Sequence, residues 1–102
     1  MADPIRVIVF SDCDLWVAQC LEYDIGAQAK DLDTLRMRLT VALDLEAAAC
    51  IEHGKAPFDG IARAPQRFHD MWEHRSRSFE AGAGVEFSAG GQPVSVNMAI
   101  AA

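Results

Sequence analysis

The chain has 102 residues, 51% of them hydrophobic and 24% charged, with a formal net charge of -6. That size and composition predict one soluble globular domain with a small core and exclude a disordered chain. No run is long and apolar enough to span a bilayer, and MADPIRVIVF lacks the basic and apolar regions of a signal peptide, so a cytoplasmic protein is expected.

In chain order, Ile5 to Phe10 (IRVIVF) is a β-branched run that predicts a first strand. The polar stretch Ser11-Asp12-Cys13-Asp14 reads as a hairpin connection to a second strand, Leu15 to Leu21. Glu22-Tyr23-Asp24 makes the next corner, and Ile25 to Lys30 a third strand of small residues. Short connections predict that the three pair as an antiparallel meander. Asp31 then caps a helix, with Asp33 in its first turn, that runs to about Glu52 and stops before Gly54. Leu32, Leu35, Leu39, Ala42, Leu43, Ala49 and Cys50 share one face of this helix and are expected to cover the sheet, with Glu46 in the same stripe.

Met37, Val41, Leu45 and Ala48 form a second stripe on the opposite side of the same helix. A helix that only covers a sheet has no use for it, so it predicts either a seat for the second helix or a subunit interface. Residues 54–64 (GKAPFDGIARA) read as a loop, and Pro65 opens the second helix. Ala64, Phe68, Met71, Trp72 and Phe79 form its apolar face, and Arg63, Arg67, Asp70, His74 and Arg77 the other, up to Gly82 and Gly84. Val85-Glu86-Phe87 and Val94 to Ile100 predict two strands around Gly90-Gly91. Val94, Val96, Met98 and Ile100 alternate, so one face of that last strand is expected to be buried. Val94, Val96 and Met98 are counted with the helix stripe as interface candidates, since a strand without a partner in a three-stranded sheet would leave an edge to be paired. The division is one domain, 1–102, with a β-β-β-α core at 5–53 and an extension at 54–102.

Chemical machinery is sparse. The three cysteines, Cys13, Cys20 and Cys50, form no CxxC pair and point to a reducing compartment rather than a disulfide framework. Cys20 and Cys50 sit in apolar patterns, while Asp12 and Asp14 flank Cys13 with charge that opposes a reactive thiolate. Asp12, Asp14, Glu22 and Asp24 offer the oxygens a divalent cation takes, but antiparallel pairing is expected to put the two turns at opposite ends of the sheet. His69 and His74 are five residues apart, which is not the spacing of a zinc pair on a helix, and with His53 they read as solvent-exposed. There is no HExxH, GxSxG or P-loop. No cofactor is expected. Residues 1–62 carry five Lys/Arg against eleven Asp/Glu, and residues 63–102 four of each. An acidic first half disfavours nucleic acid and favours a basic protein partner.

The stretch Trp16-Val17-Ala18-Gln19-Cys20, the corner, Ala27-Gln28-Ala29 and the capped Leu-rich helix resemble the HicB-like antitoxin family over about Ile5 to Leu45. The resemblance implies an α+β fold of partial RNase-H-like type: a three-stranded antiparallel sheet packed by a long helix, without a nuclease metal site. It also implies a non-catalytic protein that binds and neutralises a small basic toxin, or a solitary relative without one. Leu15 stands where the family often has glycine. The C-terminal half reads as a helix followed by strands, not a helix-turn-helix, so a DNA-binding role is not carried over. A homodimer or higher homo-oligomer is expected. The competing class is a small-ligand protein or metal-dependent enzyme using the corner carboxylates or a pocket near Trp16 and Trp72.

Overall fold

The structure, a computed structural model, describes residues 5–74, 77–78, 85–89 and 92–101. Strands β1 (Ile5–Asp12) and β2 (Leu15–Cys20) are joined by a two-residue turn, Cys13-Asp14, with φ of 47° and 65°. Two positive φ values in a two-residue connection are type I′ geometry, whose twist matches that of the strands it joins. The register pairs Asp12 with Leu15 and Val7 with Cys20. β3 (Gly26–Ala29) continues the meander antiparallel to β2, with Trp16 opposite Ala29. Packing at Gly26 is tight: a Cβ there would stand 2.8 Å from Gln19 Oε1 and 3.1 Å from the Ala18 carbonyl, so both neighbours would have to shift.

The sheet does not end with these three strands. β6 (Gln92–Ile100) lies parallel to β1 along its other edge, Ile5 beside Val96 and Val9 beside Ile100. β4 (Arg77–Ser78) and β5 (Val85–Ala89) both pair antiparallel with β6. The order is β3-β2-β1-β6-β4, so the expected antiparallel meander is one part of a mixed sheet in an α+β fold. The reason lies in β1. Ile5, Val7 and Val9 are buried on one face and Ile8 on the other, and a strand apolar on both faces belongs inside a sheet, flanked and covered on all sides.

Helix α1 (Leu32–Glu52) covers the first face. Asp31 caps it, accepting from the Thr34 backbone N–H at 2.7 Å and the Thr34 hydroxyl at 3.0 Å. These bonds to the ionised carboxylate hold its pKa below the ordinary aspartate value. At the other end the N–H groups of Gly54 and Lys55 donate to the carbonyls of Ile51 and Cys50, both at 2.9 Å, with Gly54 at φ 75°. This paired closure is the Schellman arrangement, and it needs a left-handed residue at Gly54. Leu35, Leu39, Leu43 and Ala47 are buried against Val7, Val9, Ala18, Cys20, Val96 and Met98. Ala42 packs at the margin, whereas Leu32, Ala49 and Glu46 of the expected stripe are exposed. The inward row is spaced strictly by four.

The loop after α1 carries the chain to the opposite face. It is pinned to the β2–β3 corner by Asp24 N–H to the Ala62 carbonyl (2.7 Å) and Ala64 N–H to the Leu21 carbonyl (3.1 Å). Phe58 is held at φ 67°, buried and stacked on Tyr23 with ring centroids 4.7 Å apart. Helix α2 (Gln66–Glu73) follows Pro65 and buries Phe68 and Trp72 with Ile8, Leu21, Ala64 and Ala99. It is shorter than the sequence pattern predicts: it closes at His74, and Arg77 belongs to β4, where pairing with Ile100 replaces helical hydrogen bonds. Phe79, Gly82, Gly84 and Gly90-Gly91 lie outside the described residues.

Two outcomes follow from α1. Leu39→Ala removes a fully buried side chain and is expected to lower unfolding free energy by about 2–5 kcal/mol in urea melts. Met37→Ala, on the outward side, is expected to change it by less than about 0.5 kcal/mol. The lowered pKa of Asp31 adds a pH dependence. A depressed carboxylate stabilises the fold above its unfolded pKa, about 3.9, and that contribution disappears as pH falls through the folded value. The stability gap between the parent chain and Asp31→Ala is therefore expected to be full at pH 7 and to narrow below about pH 4.

Candidate protein interface

α1 has an inner row committed to the core and an outer row with nothing over it among the described residues. Met37 is 69% exposed, Val41 56% and Leu45 65%, and Ala48 is exposed beside them. Spacing of four places the first three along one ridge of the helix. Ile51, 45% exposed, continues this side beyond Ala48 and is not in the stripe read from the sequence. The second helix does not sit here: α2 packs on the other face of the sheet. Of the two explanations the stripe allowed, the intramolecular one is removed by that placement.

The strand candidates fall elsewhere. Val96 is fully buried and Met98 nearly so, both beneath α1, and Val94 packs half-buried against the same cluster. Their alternation is that of a core strand paired with β1, so they do not join Met37, Val41, Leu45 and Ala48 on one surface. The interface candidates divide into an exposed helix ridge and buried strand residues.

The carboxylates are also dispersed. Asp12 and Asp14 lie exposed at the β1–β2 turn, and the register of that hairpin puts Glu22 and Asp24 beyond its far end. Glu22 accepts from the Arg6 backbone N–H and from Arg6 Nε, each at 2.7 Å. Asp24 accepts from Gln19 Nε2 at 3.0 Å. Each of the second pair is thus engaged with its neighbours, and no group of three or more His, Cys, Asp or Glu suited to a metal ion occurs among the described residues. Trp16 packs with the cluster under α1 and Trp72 with the cluster under α2, on opposite faces of the sheet, so they share no pocket. His53 and His74 are the C-terminal caps of the two helices. The His69 ring bridges the Ala64 carbonyl, 3.2 Å from Nε2, and Arg63 Nη2, 3.4 Å from Nδ1. Arg67 lies over the Phe68 ring at 4.6 Å, and Arg6 over Trp72 at 5.9 Å.

The cysteines remain free thiols: Cys13 exposed, Cys50 half-buried and Cys20 buried. Burial, with a smaller contribution from the Glu22 charge, pushes the Cys20 thiol up to about 12, so it is inert. One concavity lies away from both clusters. A shallow cleft of about 340 Å³ opens between β3 and the first turns of α1, lined by Leu15, Gln28, Lys30, Asp31, Thr34 and Arg38. Within this lining Arg38 donates from Nη1 to the Gln28 carbonyl at 2.8 Å. Nothing in the sequence marks this cleft, because its lining comes from three elements whose closeness only the sheet order creates. No helix among the described residues is long and apolar enough to cross a membrane.

Two surface features stand out among the described residues: an apolar ridge on α1, and a small cleft beside the outer strand. The chain matches no protein-family profile, no curated protein and no solved structure.

Proposed function

We propose that the chain is a non-catalytic protein-interaction module of HicB-like type that pairs with a second copy through the outer ridge of α1. The observation that carries this reading is the exposure of Met37, Val41 and Leu45, three long apolar side chains in register on a helix whose other side is already filled. Leaving such a ridge in water forgoes burial of its apolar area, and a two-fold axis lets the same patch on two copies cover itself. Spacing of four suits the packing class in which such ridges interdigitate at about -50°. The antiparallel meander followed at once by a capped helix over it is the arrangement the resemblance implies, and it supports the reading.

The acidic balance of residues 1–62 supports a further partner in the same class, a small basic toxin-like protein, and disfavours nucleic acid.

Sedimentation velocity across micromolar concentrations tests the proposal. The parent chain is expected to run as a dimer or larger species. Val41→Glu places a charge at the centre of the ridge and is expected to give a smaller species that remains folded, since Val41 carries no part of the core. A parent chain that is monomeric throughout, or a Val41→Glu variant with unchanged mass, ends the idea.

A further inference from the structure

β3 is the outermost strand of the sheet among the described residues, and its open edge has a readable polarity. The Cys20 N–H donates to the Ile25 carbonyl at 2.9 Å. Alternation along an antiparallel ladder then turns the peptide groups of Ala27 and Ala29 toward β2 and those of Gly26 and Gln28 outward. The Arg38 bond to the Gln28 carbonyl agrees with that assignment. Natural edges are blunted by proline, bulges or inward charges. This one has none within Gly26–Ala29, only small or neutral side chains and a single carbonyl held by Arg38.

We propose that this edge takes β3 of another copy of the chain, antiparallel and centred on Ala27, as a contact separate from the α1 ridge. Three features select that occupant. Centring on Ala27 sets Gly26 of each strand against Gln28 of the other, so both outward peptide groups of one copy meet both of its mate. The central pair is then Ala27 with itself, a non-hydrogen-bonded position where backbones approach to about 4.5 Å and only small side chains sit easily. Beyond the ladder itself, Asp24 of each copy, whose Oδ1 accepts from Gln19 and whose Oδ2 is left over among the described residues, comes to the side of Lys30 of the other, beside the cleft that Lys30 and Arg38 line. Both residues are exposed. The strand is therefore complementary to itself in charge when reversed, at both ends at once. The Gln28 carbonyl has a second lone pair, so the incoming Gly26 N–H does not have to displace Arg38. A sheet built this way runs through the two-fold axis without a break.

Amide exchange by NMR on the Val41→Glu chain separates this contact from the α1 pairing, since its readout is local to β3 whatever the ridge does. From about ten micromolar to one millimolar, exchange at Gly26 and Gln28 is expected to slow several-fold while Ala27, already bonded to β2, does not change. Gln28→Pro removes an outward N–H without touching the β2 ladder, and is expected to abolish the slowing at Gly26 with little change in melting temperature. Lys30→Glu, which sets like charges opposite Asp24, is expected to do the same, and added salt to restore part of it. Concentration-independent exchange at Gly26 and Gln28, or slowing that survives Gln28→Pro, overturns the proposal. Should Gln28→Pro unfold the chain, the Lys30→Glu result decides: slowing unchanged by that charge reversal overturns it, and slowing lost supports it.

Discussion

Everything in this fold answers to the requirement that β1 be enclosed on all four sides. Its side chains are apolar above and below, and its two edges carry peptide groups that need partners in a dry interior. β2 and β6 satisfy the edges, one antiparallel and one parallel. α1 covers one face, and α2 with the loop before it covers the other. The loop is tied to the β2–β3 corner by two main-chain hydrogen bonds because it must bring α2 across to the face that α1 leaves bare. Polar groups near that crossing are satisfied locally, as in the Arg6–Glu22 pair and the Gln19 amide shared between the Cys20 carbonyl and Asp24.

Much of this was legible because local chemistry and long-range packing agree. The hairpin turn, the three-strand meander, the Asp31 cap, the Gly54 stop and the Pro65 start each rest on one or two residues whose backbone preferences are strong. Both stripes of α1 were visible in the spacing alone. The spacing assigned the right side to the sheet but not the exact row, nor what lies over the other stripe; the inner row is Leu35, Leu39, Leu43 and Ala47, the last in neither stripe, not the wider set ending at Cys50. Helical spacing defines a face to within a residue or two, and the sheet beneath narrows it.

The readings that changed share one cause: they concerned pairings between distant parts of the chain. Val94, Val96 and Met98 alternate as any half-buried strand does, and alternation does not say whether the buried side meets the same chain or another one. The apolar run Val7 to Phe10, uninterrupted where a half-buried strand would alternate, was the available sign that β1 lies inside a sheet. Arg77 continued the basic face of a helix in sequence, yet it forms a bridge to Ile100 instead, because β6 offers an edge there. The cleft at β3 was invisible for the same reason, being made where Leu15, Gln28 and Arg38 meet.

The parallel pairing of β1 with β6 also fixes the order in which the chain can become a protein. Residues 5–9 find their second neighbour at residues 96–100, so the most buried strand stays half-dressed until nearly the whole chain is available. Loop-closure entropy has to be met before that contact returns anything, which makes its formation slow compared with the hairpin and the helix. During synthesis at about 5–20 residues per second, β1, β2, β3 and α1 wait for seconds with the edge of β1 bare. For that interval the nascent chain presents a hydrophobic, hydrogen-bonding strand to its surroundings.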